Sequence, residues 1–306
     1  MSANLQNTIF TDESKAREWL EARVWPNGPV CPHCGNVDQS KIGALKGKAH
    51  RAGLYQCAEC REQFTVTVKT VFERSKIPLS KWLAALFLLT ASKKGISAHQ
   101  IHRSLGVSYK SSWFMMHRLR EAMRTGGLAP MGGRGSVVEA DETYIGRVEG
   151  VPLKRGFTHK NAVLALVERG GKARTFHIAR ADMNTVHAIM AENIARESQV
   201  HTDESNIYKM APWRFAKHET IKHSADEYVR GDVTTNTVEG YFSIFKRGMK
   251  GVYQHCAEKH LHRYLSEFNF RYNNRTALGI SDLMRAETLA AAIKGKRLTY
   301  RRPHQV

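Results

Sequence analysis

Two kinds of residue in this 306-residue sequence are spaced so that they could carry chemistry: paired cysteines and separated acidic residues. Four of the five cysteines form the pairs Cys31-Pro-His-Cys34 and Cys57-Ala-Glu-Cys60. Two such turns present four thiolates, which is the ligand set of a structural tetrahedral zinc site. A disulfide framework is the alternative, but the first residues lack the pattern of a secretion signal. We therefore expect Cys31, Cys34, Cys57 and Cys60 to hold Zn²⁺.

The acidic residues of interest are Asp141, Asp203 and Glu239. Asp141 lies inside the apolar stretch 137–145, and burying a carboxylate there is costly unless it is paired or binds a metal. Clustered carboxylates are typical ligands of Mg²⁺, and two ions held this way can activate a water or a 3′-hydroxyl and stabilise a leaving oxygen. The sequence therefore predicts a site for two catalytic Mg²⁺ or Mn²⁺ ions at these three residues.

The elements that must position these acids follow from the pattern of apolar residues. We expect a strand at 137–145, a hairpin of 162–167 and 173–178, a helix at 184–195, a strand ending at Asp203 and a helix beginning at 236. An acid on one strand, a second on another strand and a third on a helix is the arrangement of the RNase H-like metal site. We expect an RNase H-like α/β catalytic domain with a mixed sheet at 136–275.

The helix beginning at 236 is predicted to be amphipathic. Its apolar stripe comprises Val238, Tyr241, Phe242, Phe245 and Met249, and its other face carries Asn236, Glu239, Ser243, Lys246 and Lys250. Asn236 has two interpretations: it caps the helix with Glu239 as its partner, or it is a metal ligand. Lys246 lies two turns beyond Glu239 on the same side, where a metal-bound phosphate could meet both.

A helical region at 78–125 precedes this domain. Ser80 is a candidate N-cap, Ser97 to Gln100 fit a capping box, and Gly106 suits a short turn. A following helix from Ser108 would bury Trp113, Met116, Leu119 and Met123 and expose Lys110, His117, Arg118 and Arg124. The pattern favours a helix-turn-helix-like DNA-binding region in which those four residues contact DNA. A plain three-helix bundle is the alternative.

The composition indicates a polyanionic partner. Lys and Arg number 47 against 28 Asp and Glu, a formal charge of +19, and the excess is spread along the chain. Neutralising phosphates releases counterions and supplies most non-specific affinity for nucleic acid, although a basic surface can also serve solubility alone. No apolar run approaches the ~20 residues that span a bilayer. We expect a soluble cytoplasmic protein with no membrane partner.

These motifs resemble those of bacterial insertion-sequence transposases of the DDE class, in the group with a zinc ribbon and an ISXO-like catalytic domain. The resemblance rests on the two cysteine pairs and on the blocks Glu139-Ala-Asp-Glu-Thr-Tyr-Ile-Gly146, His201-Thr-Asp203, Asn236-Thr-Val-Glu239-Gly-Tyr-Phe-Ser-Ile-Phe-Lys246-Arg-Gly248, His260-Leu-His-Arg-Tyr264 and Phe268-Asn-Phe-Arg-Tyr-Asn273. It implies that Asp141 and Asp203 bind metal and that either a Glu or an Asn is the third ligand. A Lys seven residues after the acid accompanies it in this group, which favours Glu239 with Lys246, and Asn236 stays as the alternative.

The resemblance also implies an activity. The chain would bind terminal inverted repeats, cleave the element ends and join the freed 3′-hydroxyl to double-stranded target DNA, as a homo-oligomer associated with the nucleoid. Lys246, Arg247 and Lys250 would contact DNA phosphates near the cleaved bond. The alternatives are a non-catalytic regulator derived from a transposase and a metal-dependent nuclease on the same fold.

The expected fold class is α+β multidomain. We expect an N-terminal helical arm at 1–30, a zinc ribbon at 31–70, the helix-turn-helix-like region at 78–125, the catalytic domain at 136–275 and a basic C-terminal tail at 276–306. The tail carries Lys294, Lys296, Arg297, Arg301 and Arg302 and is predicted to be a mobile arm that seeks phosphate.

Overall fold

The chain is described here by a computed structural model, which covers residues 6–153 and 155–299. It folds into two compact units. Of the described residues, the first unit contains 6–92, 96–123 and 280–299, and the second contains 93–95, 124–153 and 155–279. The chain enters the second unit after Met123, shortly before the predicted glycine-rich joint at Gly126 and Gly127.

The first unit opens with a helix and a small sheet. Helix α1 spans Glu13–Val24, and a three-stranded antiparallel sheet follows in the order β1 (Ile42–Ala44), β2 (Tyr55–Cys57) and β3 (Gln63–Phe64). Trp25 ends α1 and packs edge-on against the rings of Tyr55 and Phe64, with centroids 5.5 and 5.7 Å away. The expected N-terminal arm is therefore packed against the ribbon, because this aromatic cluster joins them.

Three helices follow: α2 (Leu79–Ala91), α3 (Ala98–Leu105) and α4 (Tyr109–Ala122). Ser97 caps α3 by accepting the backbone N–H of Gln100, and Gly106 ends it in the left-handed conformation, as predicted. Ser80 does not cap α2, contrary to expectation, because Pro78 holds the cap position and Ser80 lies buried in the first turn. The Glu13 carboxylate accepts the backbone N–H groups of Leu79 and Ser80 instead, at 2.7 and 3.0 Å.

The second unit is built on a five-stranded mixed sheet with the order β6-β5-β4-β7-β8. The strands are β4 (Val137–Ile145), β5 (Asn161–Glu168), β6 (Ala173–Ile178), β7 (Gln199–Asp203) and β8 (Lys217–Ile221). Strands β4, β5 and β6 are antiparallel neighbours, whereas β7 runs parallel to both β4 and β8. The predicted hairpin and the predicted strand ending at Asp203 are confirmed.

Helices cover both faces of this sheet, which explains why β5 is apolar along its length. Helix α5 (Met183–Asn193) packs on the face formed by Val138, Ala140 and Val200. A two-stranded hairpin, β9 (Val229–Arg230) and β10 (Val233–Thr234), leads into α6 (Asn236–Gly248), and α7 (Glu258–Asn273) follows a π-helical turn. Helices α6 and α7 cover the opposite face.

Of the predicted C-terminal tail, residues 276–279 belong to the second unit, whereas the described residues 280–299 are folded into the first unit. It contains helix α8 (Asp282–Ala291), whose Arg285 guanidinium donates to the carbonyl of Thr90 at 3.0 Å. Lys296 donates to the carbonyl of Ala122 at 2.6 Å, and Arg297 lies 3.5 Å from the Glu73 carboxylate. These contacts replace the mobile arm that was expected, and Arg301 and Arg302 lie outside the described residues.

Within the described residues, no helix is both long enough and apolar enough to cross a membrane.

Candidate active site and zinc centre

Strand β4 presents alternate side chains to the two faces of the sheet. Val138 and Ala140 point into the core under α5, so Glu139 and Asp141 point to the side covered by α6. The parallel neighbour β7 pairs with β4 so that Glu139 lies opposite His201. Asp141 and Asp203 each follow this pair by two residues, so the register brings both aspartates to the same edge and the same face.

The third acidic residue reaches this edge from α6. Glu239 lies in the first turn of the helix, and its side chain is 47% exposed. The Thr235 hydroxyl donates to its Oε1 at 2.7 Å, and His223 Nε2 lies 3.8 Å from the same oxygen. Asp203 and Glu239 both act electrostatically on Asp141, so the three carboxylates lie in one region of the second unit.

The acidic groups act on one another electrostatically. Burial first, and then the charges of Glu142, Asp203 and Glu239, raise the pKa of Asp141 to about 7. Burial also raises the pKa of Asp203 and of Glu142. Carboxylates held in this way gain most from a divalent cation, because an opposite charge removes both their mutual repulsion and their desolvation cost. The residues present therefore fit a site for divalent metal.

Glu142 was not singled out by the sequence analysis. Its carboxylate accepts a hydrogen bond of 2.7 Å from the hydroxyl of Tyr208, a fully buried side chain on the α5 side of the sheet. The charge of Asp203 also contributes to raising the pKa of Glu142. Its position directly after Asp141 was the only available signal, and adjacent strand residues normally face opposite sides of a sheet.

Asn236 is not the N-cap of α6, which was one of the two roles expected for it. Thr235 holds the N-cap position of α6 and Asn236 is the first helical residue, exposed, with its backbone N–H donated to the Thr234 hydroxyl at 3.1 Å. The interpretation of Asn236 as the N-cap is therefore wrong by one residue. Its side chain lies on the same helical face as Glu239, three residues further on.

The basic residues of α6 follow the predicted face. The Lys246 ammonium lies 5.8 Å from the centre of the Phe242 ring, and Arg247 donates to the carbonyl of Ser243 at 3.2 Å. Lys250, in the turn that follows, is exposed. The predicted apolar stripe is confirmed, since Val238, Tyr241, Phe242, Phe245 and Met249 are all buried.

Of the four residues predicted to contact DNA from the helix that begins after Ser108, two are exposed and two are buried. Lys110 and Arg124 are exposed, whereas His117 and Arg118 are 1% and 6% exposed. Arg118 donates to the carbonyl of Glu73 at 2.6 Å, and its guanidinium lies 5.6 Å from the Trp82 ring. A DNA-facing position for His117 and Arg118 is thus wrong, because α4 is covered on a broader arc than its apolar residues indicated.

The four paired cysteines converge. All four sulfur atoms lie within 4.8 Å of one another, with Cys31 and Cys60 at 3.6 Å and Cys34 and Cys57 at 3.7 Å. Hydrogen bonds from the backbone N–H of Cys60 and from the Asn36 amide lower the pKa of Cys57 to about 6, whereas burial and the neighbouring thiols raise the pKa of Cys34 and of Cys60. Among the described residues, only these four cysteines bring their possible metal-ligand atoms so close together. The carboxylates of Asp141, Asp203 and Glu239 are therefore spaced more widely than the four sulfur atoms.

The fold and the two sites define an α+β protein with a four-cysteine ribbon and a separate mixed-sheet domain bearing an acidic cluster. Residues 132–273 match the ISXO2-like transposase domain, and residues 11–63 match the transposase zinc-ribbon domain. A protein of Halobacterium salinarum, described as an uncharacterized protein in the transposable element ISH50, is 27% identical over 279 residues, covering 86% of this chain and 91% of its own length. The chain therefore contains a region that matches a transposase zinc ribbon, followed by a region that matches an ISXO2-like transposase domain.

Proposed function

We propose that the second unit is an RNase H-like catalytic domain that cleaves the phosphodiester bonds at the ends of an insertion sequence and joins the freed 3′-hydroxyl to target DNA. The observation that carries the proposal is the convergence of carboxylates from β4, β7 and α6, whose charges raise the pKa of Asp141. The mixed sheet, with three antiparallel strands followed by two parallel ones, also supports an RNase H-like assignment.

In this proposal Asp141, Asp203 and Glu239 hold two Mg²⁺ or Mn²⁺ ions. When bound, such ions activate a water or a 3′-hydroxyl and stabilise the leaving oxygen. Glu239 is favoured over Asn236 as the third ligand, because its charge acts on Asp141 and a neutral amide would compensate the ions less. Thr235 and His223 orient the Glu239 carboxylate, while Lys246, Arg247 and Lys250 bind phosphates of the DNA.

The first unit supplies DNA recognition in this proposal. A structural Zn²⁺ on the four cysteines holds the ribbon, and α3 with α4 forms a helix-turn-helix-like element whose exposed Lys110 and Arg124 contact the DNA backbone. Two element ends must be cut and joined together, so we propose that the active complex contains more than one copy of the chain. Such a protein would be found at the nucleoid.

Cleavage of a labelled duplex that carries an element end and its flanking DNA tests the site. Asp141→Asn removes one charge from the cluster with little change in shape, and we expect cleavage in Mg²⁺ or Mn²⁺ to fall at least about 100-fold while binding to the same duplex stays close to normal. Glu239→Gln should act likewise, and Asn236→Ala should not. Asp182→Asn is the matched control, because it removes a carboxylate elsewhere in the unit and asparagine also caps helices.

Other outcomes of this experiment would identify the alternatives. Wild-type protein that binds end DNA but never cleaves it would indicate a regulator. Cleavage without joining of the 3′-hydroxyl to a target plasmid would indicate a nuclease. Full cleavage by Asp141→Asn would reject the site itself.

A further inference from the structure

One buried carboxylate of the second unit is used by neither the metal site nor the DNA contacts. Glu139 lies on β4, two residues before Asp141, and its side chain is 0% exposed. A carboxylate in this position is stable only if its oxygens are fully hydrogen-bonded. Its partners therefore indicate what it does.

Three of those partners belong to the first turn of α6. The carboxylate accepts the backbone N–H groups of Thr237 at 2.7 Å and Val238 at 3.0 Å, and the Thr237 hydroxyl at 2.9 Å. The first N–H groups of a helix have no acceptor within the helix, and a negative charge there also interacts favourably with the helix dipole. Thr235, at the N-cap, makes no capping bond through its side chain. Glu139 thus caps α6 from the neighbouring strand.

The fourth partner is Arg169, whose Nε donates to Glu139 at 2.7 Å. The same guanidinium donates to the carbonyls of Asp232 at 2.7 Å and Thr234 at 3.1 Å, which lie in and after the turn of the β9–β10 hairpin. It also contacts Nδ1 of His201, the residue of β7 opposite Glu139, at 3.1 Å. One ion pair therefore ties together β4, β7 and the hairpin that leads into α6.

This arrangement constrains the position of Glu239. The capped amides belong to Thr237 and Val238, the two residues directly before Glu239. The hydrogen bonds to Glu139 therefore hold the backbone immediately next to Glu239. A slip of α6 by one residue would move Glu239 by about 1.5 Å along the helix and rotate it by about 100°. The buried apolar stripe of α6 already opposes a full slip, and the directed hydrogen bonds to Glu139 fix the rotation and the axial position of the first turn more closely.

We propose that Glu139, held by Arg169, is a positioning residue that sets Glu239 on α6 relative to Asp141 on β4 and so forms the divalent-metal site. The inference rests on the proposed function, since it concerns the same carboxylates. Glu139 itself binds no metal in this scheme, because its oxygens are already used by Thr237, Val238 and Arg169.

Hydrogen exchange measured by NMR tests the cap directly. In the metal-free wild-type protein we expect the amides of Thr237 and Val238 to exchange slowly, although first-turn amides normally exchange fast. Both amides donate to the same oxygen, Oε2. In Glu139→Gln a carbonyl oxygen can stay there only if the NH2 group faces Arg169, so the negative charge and one acceptor are lost and protection at these two amides should fall by about 10-fold or more. Amides of β5 should stay protected. Unchanged protection at Thr237 and Val238 would overturn the cap.

Binding of Mn²⁺, followed by the electron paramagnetic resonance of the free ion, tests the positioning. We expect Glu139→Gln to weaken Mn²⁺ binding by about 10- to 100-fold, the range found for residues that orient metal ligands. Asp182→Ala is the control for lost stability alone, because it removes the side-chain cap of α5 in the same unit and should leave Mn²⁺ affinity unchanged. Wild-type affinity in folded Glu139→Gln would overturn the proposal.

Two further variants keep the outcomes separate. If Glu139→Gln does not fold, Glu139→Asp provides the same two readings, since it keeps the charge but is one methylene too short to reach both amides. Asp141→Asn reports on the proposed function: if it leaves Mn²⁺ binding intact, the metal site is wrong, while the exchange of Thr237 and Val238 still decides whether Glu139 caps α6.

Discussion

Asp141 is a residue whose folded environment opposes its ionised form. Burial and three neighbouring carboxylates raise its pKa to about 7, against about 3.9 for an aspartate in an unfolded chain. Between these pH values the folded protein binds a proton that the unfolded chain has released. The contribution of Asp141 to the stability of the metal-free protein therefore falls as the pH rises through this window.

This gives a prediction for single residues. Asp141→Asn removes the charge without removing the side chain. At pH 7.5 and without divalent metal, the variant should therefore unfold at a higher urea concentration than wild type, with a free energy of unfolding larger by about 1–3 kcal/mol. The difference should shrink towards pH 4, where Asp141 is protonated in the folded state and about half protonated in the unfolded chain. Urea unfolding followed by circular dichroism at the two pH values measures it.

The control for that prediction is Asp182→Asn. Hydrogen bonds from the backbone N–H and hydroxyl of Thr185 lower the pKa of Asp182, so its charge favours the folded state. Removing this charge should give no gain in stability at neutral pH. A gain equal to that of Asp141→Asn would show that general charge reduction, and not the acidic cluster, causes the effect.

At the scale of secondary-structure elements, the ribbon shows how short strands are stabilised. Strands of two or three residues cannot bury enough apolar surface to stand alone. Trp25, Tyr55 and Phe64 form a small aromatic cluster, and the sulfur atoms of the four paired cysteines meet in a second cluster. We expect the bound metal to supply the remaining folding free energy.

The ribbon prediction is therefore about metal content. Purified protein should contain about one zinc per chain, as measured by plasma mass spectrometry, because the four cysteines form one tetrahedral set. Cys57→Ser should lose the zinc and expose the ribbon to proteolysis. Cys256→Ser, which changes a cysteine outside the set, should keep both the zinc and the protease resistance, and equal loss in both variants would contradict the assignment.

At the scale of the whole molecule, the formal charge of +19 is the dominant property. It coexists with an acidic cluster in the second unit, which makes sense if metal neutralises that cluster before phosphate approaches. Not every basic residue is available for DNA, because Arg118, Arg271 and Arg285 are buried in the fold. The exposed remainder, which includes Lys110 and Arg124, is what a polyanion would meet.

Binding of end DNA should accordingly weaken steeply with salt, with log K falling linearly against log salt concentration. Lys110→Ala should make the slope shallower by about 1 if its side chain neutralises a phosphate. Arg118→Ala should leave the slope unchanged and lower the thermal stability, because its contacts are internal. Fluorescence anisotropy over a salt series measures the slope for wild type and for both variants, and thermal unfolding measures the stability of Arg118→Ala. A flat salt response in wild type would contradict phosphate contacts as the main source of affinity.

The sequence by itself determined the local features of this protein. The two cysteine pairs, the cap at Ser97, the β5–β6 hairpin and the apolar stripe of α6 depend on neighbours a few residues away, so spacing and residue type were sufficient to predict them. Asp141 also stood out, because a carboxylate inside an apolar strand is costly without a partner.

Only the tertiary structure decided how those features are completed. Ser80 is not a cap because Glu13 of a distant helix supplies the acceptor, and His117 and Arg118 are buried because surrounding segments cover more of α4 than its own pattern indicates. Glu139 and Arg169 are 30 residues apart in the chain, and the Glu139 carboxylate meets Thr237 a further 68 residues on. Contacts at such separations depend on strand order and register, which local periodicity does not encode.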